Sequence, residues 1–236
     1  MNLTVPQAVD LVGRIEDGLI DFEVARNLPR IILAPPFTAL SPVRDVLRHD
    51  GVLLASQDCH WADTGSYTGE ISAPMLEGLV DAALLGHPER RKSGERDDVV
   101  ARKLTAAARA GLTPVVFVGE PDEHDDTPDE AQARLRTVLE EVNTSALPEL
   151  IVVYEPLYAS ISGKPVEPTL IAEFAEALRE VISELQIASA SVLYGGGVDA
   201  TASERLLTER SIDGFVIGHA SLDPQAFLRL ASQLAE

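Results

Sequence analysis

Two ionisable residues stand where an apolar run gives way to a loop. Glu155 follows Ile151-Val152-Val153-Tyr154 and precedes Pro156-Leu157. Partial desolvation raises the basicity of a carboxylate, so this placement suits proton abstraction next to a carbonyl. Taken alone, Glu155 is equally well a plain loop carboxylate. His87 follows Ala82-Ala83-Leu84-Leu85 and Gly86, and it precedes Pro88. Proline is favoured at the first helical position, so the imidazole is expected to face helix N-terminal dipoles, which disfavour the imidazolium. A lone histidine there would by default be a structural cap. Two glycine-bearing segments, Tyr194-Gly195-Gly196-Gly197-Val198 and Asp213-Gly214-Phe215-Val216-Ile217-Gly218, accompany two further apolar runs. A lone triple glycine is more often just a turn.

The elements that must position these residues are legible as apolar runs. Arg30–Ala34, Val52–Ser56, Ala82–Leu85, Pro114–Val118, Ile151–Tyr154, Ser191–Tyr194 and Gly214–Ile217 make seven candidate strands. Continuous rather than alternating apolarity predicts strands covered on both faces, hence a parallel sheet. Helical patterns fill the gaps, as at Val99–Ala110 and Pro168–Leu185, giving repeated βα units. The chain opens into an amphipathic segment, Val5–Ile15, with Thr4 as N-cap. The acidic stretch Glu120–Glu130 reads as a solvated loop and helix start. Strand count alone allows either a barrel or an open doubly wound sheet.

The 236 residues fit one domain, 1–236, and 45% hydrophobic residues suffice for a core. A formal charge of −19 repels nucleic acid and anionic membranes, so neither is expected as a partner. The single cysteine, Cys59, fits a reducing compartment, and no signal-peptide or membrane-span pattern is present, which gives a cytoplasmic expectation.

The segment Gly86-His87-Pro88-Glu89-Arg90-Arg91, the segment Tyr154-Glu155-Pro156-Leu157-Tyr158-Ala159 and the two glycine segments resemble the signatures of the triosephosphate isomerase family in order and spacing. Ala34-Pro35-Pro36-Phe37-Thr38 and Tyr67-Thr68-Gly69-Glu70-Ile71-Ser72 extend the resemblance over nearly the whole chain. It implies a (β/α)₈ barrel that interconverts glyceraldehyde 3-phosphate and dihydroxyacetone phosphate, with no metal or organic cofactor. It also implies Glu155 as base, neutral His87 as the electrophile at the carbonyl, and Glu89 as an ordering residue. Ala159–Lys164 would be the tip of a lid, and the N–H groups of Ile161, Gly197, Gly218 and His219 would hold the phosphate. The stretch Gln57–Glu70 resembles an arm that reaches into a partner subunit, with Thr68 near the partner's active site, which implies a homodimer.

The chain departs from the family pattern at several of these positions. The family usually has glycine at 161, serine at 197, glycine at 219, serine at 88 and cysteine at 117. Ile161 cannot adopt without strain the φ > 0 that glycine adopts freely, and Pro88 cannot hydrogen-bond the base. The family's first strand ends in an Asn-x-Lys-Met-Asn segment, whereas this chain begins Met1-Asn2. The expectation is therefore a chain without the barrel's first strand, either because the reading frame starts late at an internal Met, with the catalytic lysine the residue before Met1, or because the barrel is truly truncated. The changes at 161, 197 and 219, with His60-Trp61-Ala62-Asp63, raise the alternative of a tetrulose phosphate isomerase. The lysine position raises that of an inactive sugar-phosphate-binding paralogue.

Overall fold

The computed structural model of the protein describes residues 2–25, 29–119, 127–140, 142–144, 147, 149–207 and 211–234. Its centre is a parallel sheet in sequential order, β1 (Ile31–Leu33), β2 (Val52–Ser56), β3 (Ala82–Leu85), β4 (Thr113–Val118), β5 (Leu150–Tyr154), β6 (Ala190–Gly195) and β7 (Gly214–Val216). Each strand expected from continuous apolarity is present, with no end shifted by more than one residue. The strands alternate with α1 (Val5–Ala25), α2 (Leu40–Arg44), α3 (Ala73–Leu76), α4 (Pro88–Lys92), α5 (Asp97–Arg109), α6 (Pro128–Leu139), α7 (Leu157–Ser162), α8 (Pro168–Glu184), α9 (Ala200–Leu206) and α10 (Pro224–Leu234).

The sheet curls. Ala55, Ala82, Val115, Phe117, Ile151 and Val153, with Ile32, Leu193 and Val216, form one inner cluster to which all seven strands contribute. The opposite strand faces pack on the helices, as where the rings of Tyr154 and Phe174 stack at 3.9 Å. This two-sided burial is the reason the strands read as unbroken apolar runs.

The curled sheet ends at β1 and β7, which do not pair with each other. Helices α1 and α10 cover that side from outside, close enough that a Cβ on Gly18 would meet Leu228 at 2.2 Å. A cavity of about 680 Å³ lies between, lined on one side by interior residues such as Ile32, Phe117 and Leu193 and on the other by Val12, Ile15, Phe227 and Leu230.

Both expected helix starts are present. Gln7 Oε1 accepts from the Thr4 backbone N–H at 2.9 Å, half of a capping box, and α1 then runs on past Ile15 to Ala25. Of the acidic stretch, residues 120–126 lie outside the described residues, and α6 begins just beyond, with the Thr127 hydroxyl accepting from Glu130 N–H.

Candidate active site

Register decides which loops meet. Val118 pairs with Tyr154 and Tyr154 with Tyr194, so the next residues, Gly119, Glu155 and Gly195, stand in one row at the C-terminal end of the sheet. Glu155 is thereby flanked by two glycines. A Cβ on Gly195 would lie 2.1 Å from Glu155 Oε2, and one on Gly119 would lie 2.6 Å from the Glu155 carbonyl oxygen. Any larger residue at 195 would displace the carboxylate.

Glu155 is 6% exposed. Its Oε1 accepts a hydrogen bond from Ser160 Oγ at 2.6 Å and lies 3.6 Å from His87 Nε2, while the buried Oε2 has no hydrogen-bond partner. Burial pushes the carboxyl above its ordinary value. His87 and the Ser160 hydroxyl pull it back, and Glu89 adds to the rise. The group is thus a carboxylate made more basic by desolvation, with one oxygen unengaged.

His87 caps α4. Its Nδ1 accepts the Glu89 backbone N–H at 3.3 Å, so the proton of the neutral ring sits on Nε2, the nitrogen that faces Glu155. Pro88 occupies the first helical position and is buried. Phe117 packs edge-on against the His87 ring at 4.9 Å and holds it from the barrel interior. Glu89 is exposed, and its contact with the site is through its backbone N–H rather than its carboxylate.

The segment after Glu155 folds into α7, with Pro156 as N-cap and Gly163 in the left-handed conformation at its C-terminal end. Tyr194 anchors the chain on the far side of α7, its hydroxyl accepting from Val166 N–H at 2.9 Å and donating to the Gly196 carbonyl at 3.0 Å. The base of this segment leans on Gly197, where φ is +66° and a Cβ would meet the Gly163 and Lys164 carbonyl carbons at 2.7 Å. The serine expected from resemblance would not fit this arrangement, which is a physical reason for glycine.

Ile161 lies within α7, its side chain 66% exposed. Gly218 and His219 meet at a 3₁₀ turn, His219–Leu222, where the Gly218 carbonyl accepts from Ser221. His87 and Gly218 both border the 680 Å³ cavity, as does Gln57, whose amide donates to the Ala34 carbonyl at 2.9 Å. Ile161, Gly197 and His219 are not part of that lining.

Beyond Gln57, a hairpin-like arm is closed by His60 N–H to the Ile71 carbonyl at 2.8 Å. Residues 63–70, Thr68 among them, are exposed. The His60 ring packs on Trp61 and Tyr67 at 4.0 and 4.2 Å, so the arm is ordered by its own aromatics. Below it, the buried ammonium of Lys103 contacts both Asp58 oxygens at 2.7 and 2.8 Å and also Glu95, while Arg90 reaches Asp58 at 2.7 Å. This network, which ties the arm's root to α4 and α5, was not read from the sequence. Its only signal there was a charged residue on the apolar face of α5. Ser160 was missed as well, because its contact depends on how α7 folds back.

Among the described residues, no helix is long and apolar enough to cross a membrane. The sequence profile of the triosephosphate isomerase family matches residues 1–234. The triosephosphate isomerase of Gluconacetobacter diazotrophicus is 36% identical over 227 residues, covering 93% of this chain and 89% of its own. That of Chlamydia muridarum is 38% identical over 248 residues, covering 100% and 88%, and that of Dehalococcoides mccartyi is 32% identical over 243 residues, covering 100% and 93%. With motif order, strand-end geometry and near full-length similarity in agreement, the chain belongs to the triosephosphate isomerase family.

Proposed function

We propose that the chain interconverts glyceraldehyde 3-phosphate and dihydroxyacetone phosphate, with Glu155 as the base. The observation that carries this reading is the pairing at the strand ends of a buried, basic carboxylate with an imidazole whose Nε2 lies 3.6 Å from it while its Nδ1 accepts the Glu89 N–H. Glu155 takes a proton from the carbon beside the carbonyl, and His87 Nε2–H stabilises and then protonates the oxygen where negative charge develops. The resulting enediol intermediate loses a proton from its other oxygen to His87. Glu155 returns its own proton to the neighbouring carbon, so both groups end as they began. The names of the relatives favour the three-carbon substrate over a tetrulose phosphate.

For the phosphate we assign the N–H groups of Gly197, Gly218 and His219, which lie at the ends of β6 and β7, and that of Ile161. As the fifth residue of α7, Ile161 has its N–H engaged within the helix, so its donation requires α7 to rearrange on binding. Exposed Tyr67 and Met75, beside a self-ordered arm, support a homodimer formed through residues 57–70. Buried, unbridged Cys59 supports a cytoplasmic location.

The test is Glu155→Gln. The amide preserves shape but cannot accept the substrate proton, so turnover in a coupled triose phosphate assay should fall about 10²–10⁴-fold. Activity within threefold of the parent would remove Glu155 from this role.

A further inference from the structure

We propose that Ser160 is a positioning residue that holds the Glu155 carboxylate in place while the site is empty and releases it when α7 moves onto the phosphate. The proposal rests on the reading of Glu155 as the base.

Geometry carries it. Ser160 Oγ donates to Glu155 Oε1 at 2.6 Å, a distance in the charge-assisted range, and it is the one side-chain hydrogen-bond donor on this carboxylate among the described residues. The other oxygen has no partner and is confined by the backbone at Gly195. On the opposite side, the residue next to His87 is Pro88, which has neither hydroxyl nor N–H to offer the carboxylate. The donor comes instead from the segment that covers the site.

Ser160 reaches the base because α7 is wound. Its own N–H bonds the Pro156 carbonyl at 3.3 Å, and that turn carries the hydroxyl back over the residue five positions earlier. The same winding engages the N–H of Ile161 within the helix. An α7 that offers Ile161 N–H to a phosphate must therefore loosen this turn, and loosening it withdraws Ser160 from Glu155. Arrival of the phosphate and release of the base are coupled through one short helix.

The electrostatic consequence has a definite sign. A hydrogen bond donated to the ionised carboxylate favours that form, so its loss makes the group more basic. The base is held ionised at rest and strengthened when substrate arrives.

The test is the pH dependence of Ser160→Ala. The acid limb of kcat/KM reports the free enzyme and should move to higher pH, with kcat/KM at the acid end about tenfold below the parent, the size expected for one charge-assisted hydrogen bond. The acid limb of kcat reports the complex and should stay where the parent has it. Ser160→Thr should restore the parent profile because it keeps the hydroxyl, and Ser160→Gly gives the same measurement if the alanine variant does not fold. An unmoved kcat/KM limb, or a threonine variant that behaves like alanine, overturns the positioning role. A kcat limb displaced as far as that of kcat/KM overturns the release. An active Glu155→Gln would instead sink the base assignment, so the two failures are distinguishable.

Discussion

At the scale of the residue, the site is built by removing bulk as much as by adding chemistry. Gly195 leaves the space that Oε2 fills, and Gly197 leaves the space on which Gly163 and Lys164 rest. Burial of Glu155 makes it a stronger base and also costs stability. Its pKa is raised in the folded state from an ordinary value of 4.5, so the folded protein binds a proton that the unfolded chain releases. Between the two values, the folded state holds more protons, and stability falls as pH rises. Above the folded value, the full cost of a buried charge is present. Glu155→Gln, neutral throughout, should therefore melt above the parent at pH 7, and the difference should shrink as pH falls from the raised folded value to the ordinary value of 4.5. Paired melting curves across that range check this. An advantage that is constant with pH would mean that the charge is not the cause.

At the scale of the element, strands were legible and contacts between loops were not. All seven strands followed from unbroken apolarity, because a strand buried on both faces has no polar side to show. Glu155 and His87 were legible because each sits one or two residues beyond such a run. The Ser160 contact was not, since Glu155 and Ser160 meet only through the winding of α7. The Lys103 network was hidden for a related reason: its members Asp58, Arg90 and Glu95 come from the loop after β2, from α4 and from the turn before α5, which only the folded chain brings together. That network has a measurable weight. Burial pushes Asp58 up, Glu95 adds to the rise, and Lys103 is the largest influence bringing it back. Lys103→Met fills the volume but leaves two buried carboxylates without their ammonium, a loss of about 3–5 kcal/mol. The melting temperature should fall by roughly 10 °C. A shift under about 2 °C would show that Arg90 alone neutralises the pair.

At the scale of the whole molecule, charge and open surface oppose each other. The chain carries a formal charge of −19, so two copies repel at long range. Against this stand two attractive features, the exposed arm with Tyr67 and nearby Met75, and a sheet whose end strands β1 and β7 do not pair with each other. Unpaired sheet ends are templates for further pairing, although α1 and α10 cover them here. Salt separates the contributions, because the Debye length drops from about 30 Å at 0.01 M to about 8 Å at 0.15 M ionic strength. Screening the repulsion should strengthen association, whereas a dimer held by ion pairs would weaken. Sedimentation of the intact chain at micromolar concentration should therefore show a dimer that tightens as salt rises over that range. Removing residues 61–70 should yield monomers at both ionic strengths, since Tyr67 leaves with the arm. Association that survives the deletion would place the contact on the sheet ends rather than the arm, and an intact chain that stays monomeric at both ionic strengths would remove the dimer altogether.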